Sequence, residues 1–131
     1  MTLLMNTATN SMAEDKLAPC PDKPNCVSSL ATDDKQKIAP MSYDGNRAAA
    51  HLRLLAALSK LENTEIVEDS HPFLHVKVTS TLWRFIDDVS FFFDDENKLI
   101  HMRSASRSGY YDFGTNRRRL ENIRALYAQP I

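Results

Sequence analysis

FIDDVSFFFDDENKLIHMRS, the stretch from Phe85 to Ser104, reads as two strands folded back on each other. Val89 to Phe93 is dense in β-formers, and Asp94-Asp95-Glu96-Asn97 supplies the polar residues that reverse a chain. Lys98 to Ser104 then returns as the partner strand of a hairpin. Because neighbouring strand residues point to opposite sides, Phe91, Phe92 and Phe93 require burial on both faces or at a packed edge.

Working upstream, Leu74, Val76 and Val78 alternate with His75, Lys77 and Thr79, the pattern of a half-buried antiparallel strand. Glu65 to Glu68 forms another short strand, His71-Pro72 breaks the run, and Trp83 to Ile86 adds a further extended segment. Before the strands, Leu52, Leu54, Leu55, Leu58 and Leu61 give the stripe of an amphipathic helix, with Ser42 or Asp44 as its cap and Asn63 as its stop. A last helix from near Thr115 places Leu120, Ile123 and Tyr127 on one side and Arg117, Glu121 and Arg124 on another, with Arg117 and Glu121 spaced to pair. Leu17 to Pro40, rich in Pro, Asp, Lys and Ser, reads as an irregular strap. The expected class is α+β: an antiparallel sheet of about four strands packed with two main helices, the N-terminal strap at its periphery. Residues 1–16 read as a disordered leader and 17–131 as a single domain.

The 131 residues suffice for one core, and a net charge of −1 argues against a general nucleic-acid binder. No apolar run approaches the length of a membrane span. The leader has no cation before Lys16 and no apolar core, so it does not read as a secretory signal. Leu17-Ala18-Pro19-Cys20 resembles a lipoprotein cleavage box only superficially, since a proline precedes the cysteine. The default compartment is the cytoplasm, with the cell envelope or periplasm as the alternative if the precursor carries a leader. Cys20 and Cys26 are spaced for a disulfide or for two thiols in a restrained loop. A structural role ranks ahead of redox catalysis, and metal comes last because no second pair completes a zinc site.

The segment Arg103 to Arg119, RSASRSGYYDFGTNRRR, concentrates five arginines and three serines beside one acid, Asp112. Arg117, Arg118 and Arg119 fall at the start of the last helix, where each cation opposes the macrodipole by about 0.3–1 kcal/mol. Something must offset them. One reading is an anion site built from Arg103, Ser104, Ser106, Arg107, Tyr110, Asp112, Asn116, Arg117 and Arg118, since guanidinium forks and hydroxyls suit phosphate or carboxylate. The other is an internal network in which Asp87 or Asp88 meets Arg103 and Asp112 holds Arg107 or a helix arginine. Tyr110, Tyr111 and Phe113 would suit base stacking, but no RRM, OB or KH signature accompanies them.

Other constellations are weaker. His71 and His75 stand about 13 Å apart along a strand, too far to share a metal, and His51 has no HExxH partner. His101 alternates onto the side of Arg103 and is the histidine to watch. Asp87-Asp88 and Asp94-Asp95 diverge on a strand, and no nucleophile elbow, phosphate loop or dinucleotide fingerprint is present. The sequence calls for no cofactor, no metal and no catalytic residue.

At Cys20 to Ser29 (CPDKPNCVSS), Phe85 to Val89 (FIDDV) and Arg103 to Arg119, the chain resembles the bacterial and plastid family called domain of unknown function 1499. The resemblance spans Leu17 to Leu126. It implies no activity and transfers no catalytic residue; members are often associated with the cell envelope or plastid. The leading expectation is a non-enzymatic binding module whose arginine-serine surface takes a small anionic ligand or an acidic protein segment. An enzyme acting on an anionic substrate at the same surface, and a purely structural accessory domain, are the alternatives.

Overall fold

The computed structural model describes residues 17–130, so the expected leader lies outside the described residues. Six strands, β1 (Cys26–Ser28), β2 (Met41–Ser42), β3 (Thr64–Ser70), β4 (Phe73–Thr79), β5 (Ile86–Asp94) and β6 (Leu99–Ser106), form one antiparallel sheet. Among the described residues two helices accompany it, α1 (Arg47–Leu58) and α2 (Thr115–Ala128). The order is β1-β6-β5-β4-β3, with β2 sharing the outer edge of β6.

The class is α+β as expected, but the strand count is six rather than about four. Of the two additional strands, β1 comes out of the strap and β2 follows directly after it. At three and two residues they are too short to show alternation, and they form because the outer edge of β6 presents backbone groups that need partners. Trp83 to Ile86 is not a strand: β5 begins at Ile86, and Phe85 instead returns to Ser80 through hydrogen bonds of 2.8 and 2.9 Å.

The hairpin sets the faces. Phe91 pairs with Met102 and Phe93 with Ile100, while Phe92 points the other way beside His101. Leu74, Val76, Val89, Phe91, Phe93, Ile100 and Met102 therefore share a face with Leu54 and Leu58 of α1 and Leu120, Ile123 and Tyr127 of α2. The start of the strap lies on the opposite face, where Leu17 buries against Phe92 with Leu30 and Phe73 packed beside them, whereas Val27 and Ile38 turn into the helix-face core. β3 carries a bulge between Ile66 and Glu68, which returns Asp69 to the helix side within 2.9 Å of His51.

Helix boundaries shift slightly from the sequence pattern. Asn46, not Ser42 or Asp44, caps α1 by accepting the Ala49 N–H at 2.8 Å. The helix ends at Leu58 rather than Asn63, and Leu52 is exposed, off the apolar stripe. In α2, Glu121 pairs with Arg124 at 3.1 Å rather than with Arg117. No helix among the described residues is long and apolar enough to cross a membrane.

Candidate functional site

Arg103 and Ser104 are neighbours on β6, and strand geometry sends them to opposite faces. On the helix face Ser104 is fully buried and donates to the Asn116 side-chain oxygen at 2.6 Å. Asn116, also fully buried, anchors the first turn of α2. Its amide nitrogen reaches the Asn25 carbonyl (3.1 Å), the Ser106 hydroxyl (3.0 Å) and Asp112 (2.8 Å). Its oxygen also accepts from Arg119 at 2.8 Å, and Arg119 closes the cluster with a 2.7 Å ion pair to Asp87. A buried charge is tolerable when paired and hydrogen-bonded in this way.

Asp112 solves the helix-start problem. Its carboxylate accepts the Gly114 and Asn116 backbone N–H groups at 2.9 and 3.1 Å, placing a negative charge where the macrodipole favours one. Gly114 takes φ +80°, a left-handed conformation suited to glycine at this cap. The following arginines each find oxygen acceptors. Arg117 donates to the carbonyls of Lys35 and Lys37, both at 2.9 Å, and so ties the strap to α2. Arg118 donates to the Phe113 carbonyl at 2.8 Å.

The strap face holds the rest. Arg107 grips Asp88 with two hydrogen bonds of 2.8 and 3.0 Å, and His75 meets the same carboxylate at 2.8 Å. The Arg107 contact holds the Asp88 carboxyl below its ordinary pKa against the opposing effect of burial, and the His75 contact adds to the lowering. Asp87 and Asp88 thus serve different faces, and neither holds Arg103.

Arg103 is the exception among the sequence candidates. Register aligns His75, Ser90, Arg103 and Ser28 in one row across four strands. Its Nη2 reaches the Pro19 carbonyl only at 3.4 Å, and its buried Nε has no hydrogen-bond partner among the described residues. Burial lowers its pKa, opposed by the field of Asp88, yet a guanidinium remains charged. Arg53 Nε is also without a partner, but the Arg53 guanidinium lies over the Tyr127 ring at 5.5 Å.

Next to Arg103 the strap forms a half-open cavity of about 300 Å³ whose lining includes Leu17, Pro19, Cys20, Ser28, Leu30 and Gln36. Ser28 is the register partner of Arg103, and Pro19 is its carbonyl contact, so the guanidinium flanks this cavity. Cys20 and Cys26 are joined as a disulfide, which pins this part of the strap to β1. His101 sits two residues along β6. Burial lowers its pKa despite the nearby Asp94, and its Nδ1 lies 3.1 Å from the Ser29 hydroxyl, which also accepts the Met102 N–H at 2.9 Å.

Of the sequence candidates, Ser104, Ser106, Asp112 and Asn116 come together in the helix-face cluster, while Arg107, Arg117 and Arg118 each engage separate internal partners. Tyr110 is exposed and rests edge-on against Tyr111. Asn25, Asp87 and Arg119 complete the cluster without having been on the candidate list. The position of Asn25 depends on the β1–β6 pairing, which a three-residue strand does not announce. No group of three or more His, Cys, Asp or Glu side chains among the described residues could hold a metal ion.

No curated protein and no solved structure matches the chain. One family model, described as protein of unknown function (DUF1499), matches residues 16–126. That span covers the strap, the whole sheet and nearly all of α2, and the chain belongs to this family.

Proposed function

We propose that this domain is a binding module for a small organic anion, taken up at the junction of the strap and the open sheet face and held by Arg103. One observation carries the reading: the half-buried Arg103 side chain has no carboxylate partner among the described residues and a buried, unpartnered Nε, whereas the other arginines of its segment have strong internal acceptors. Leaving a buried donor unmatched costs about 1–3 kcal/mol, so a ligand oxygen there has an unmet need to satisfy. The neighbouring cavity is lined by Leu17, Pro19 and Leu30 as well as Ser28 and Gln36, which suits a carboxylate or phosphate on a compact apolar body.

A disulfide persists in oxidising surroundings, so Cys20–Cys26 favours the cell envelope or periplasm over the cytoplasm for this domain. A thermal-shift screen against short-chain carboxylates and phosphate monoesters tests the binding reading, because a ligand specific for the folded state raises its melting temperature. Arg103→Met is the control. The expected result is a ligand-dependent shift in the parent that vanishes in Arg103→Met; identical shifts in both, or none in the parent, defeat the proposal.

A further inference from the structure

Two loops leave the same end of the sheet. Residues 80–85 join β4 to β5, residues 107–114 join β6 to α2, and the Arg107 N–H donates to the Ile86 carbonyl at 3.0 Å, which ties their roots together. Leu82, Trp83 and Phe85 project from the first loop, and Tyr110, Tyr111 and Phe113 from the second, all exposed; Trp83 reaches 71% and Phe113 86%. Single exposed apolar residues need no explanation, but six on two adjoining loops form a patch that does. The second trio packs on itself rather than on the core, with ring centroids 4.9 and 6.3 Å apart.

Local backbone preference does not account for these residues. Arg84 has φ +59° and Phe113 φ +54°, both in the left-handed region that favours glycine and asparagine. The ring of Phe113 is exposed on a left-handed backbone and buries nothing in the core, and such outliers concentrate at sites of use. Charge supplies the second clue. The loop from Ser80 to Phe85 contains no acid, and Arg84 is exposed with no ion pair among the described residues. The one acid of the second loop, Asp112, is turned inward onto the start of α2, while the exposed Arg118 lies beside Phe113.

We propose that this end of the molecule seats on a lipid bilayer surface carrying anionic headgroups. Trp83 and the two tyrosines match the headgroup level, where amphipathic rings concentrate, and Leu82, Phe85 and Phe113 reach the acyl boundary beneath it. Arg84 and Arg118 meet lipid phosphates. This surface is independent of the Arg103 cavity.

Trp83 is the sole tryptophan, so its fluorescence reports directly on the loop. The full chain is titrated with phosphatidylcholine vesicles and with vesicles of equal parts phosphatidylcholine and phosphatidylglycerol, reading emission and co-sedimentation. A blue shift and co-sedimentation with the mixed vesicles, weaker with phosphatidylcholine alone, are expected. Phe113→Gly, which suits the local backbone, is expected to weaken partitioning about tenfold without lowering the melting temperature. Protein left in the supernatant with unshifted emission overturns the proposal, as does equal binding to both vesicle types. A blue shift driven by protein concentration alone would instead assign the patch to a second copy of the chain.

Discussion

Arg119 and Arg103 sit on opposite faces of the same sheet and have opposite surroundings. Arg119 is largely buried and makes a close ion pair to Asp87 together with hydrogen bonds to Asn116 and Ser104. Arg103 is half-buried beside the strap, with one long contact and a buried, unmatched Nε. A satisfied buried charge locks structure, whereas an unsatisfied one is a standing demand for a partner. The arginine-rich segment is therefore two things: most of its cations fasten α2, the strap and the sheet together, and one flanks a cavity.

The sharpest way to break this contrast is at Asn116. Asn116→Ala leaves Arg119, Ser104 and the Asn25 carbonyl without their shared partner and is expected to lower stability by about 3 kcal/mol, measured by urea unfolding. A loss below about 1 kcal/mol would mean that the helix-face cluster is not the lock described here. Replacing Cys20 and Cys26 together by serine tests the other face. Opening so short a loop is expected to cost about 2 kcal/mol on the chain-entropy account, and the strap should lose hydrogen-exchange protection before the helix face does.

Arg103→Met should run the other way. Removing a buried, unmatched Nε donor from a half-buried side chain is expected to raise stability by up to about 1 kcal/mol, whereas Arg119→Met should lower it; equal losses at both sites would erase the distinction. The smallest effect concerns pH. The folded-state pKa of His101 lies below its ordinary value of 6.5, so the unfolded chain takes up the proton first. The His101 contribution is complete above about pH 6.5 and is lost as pH falls from there through the folded value. His101→Gln should flatten the stability profile in that window, as read by thermal melts across pH.

Much of the fold was legible because it rests on periodicity. The alternation at Leu74, Val76 and Val78, the turn after Phe93 and the apolar face of α2 all appear where the pattern put them. The alternation rule also separated Asp87 from Asp88, which do serve different faces. What escaped depends on long-range pairing. β1 and β2 exist only because β6 has an open edge, and Asn25 reaches Asn116 only because β1 does. The left-handed turn at Arg84, which keeps Trp83 to Phe85 out of the sheet, has no glycine to signal it. Within the candidate site the residue types were visible, but their sorting was not. Choosing which arginine meets which carboxylate requires knowing the layer on which each lies.

The way the sheet ends has a consequence for association. One border is β6, whose outer edge is occupied by β1 and β2, so few of its backbone groups stay available to an incoming strand. The other border is β3, which carries Glu65, Glu68 and Asp69 and the bulge after Ile66. Charge and a bulge are the devices by which natural sheets discourage edge-to-edge growth toward aggregates. Partners are thereby steered to the strap face and to the aromatic loops, and lateral fibre-like stacking of one copy on the next is disfavoured at both margins.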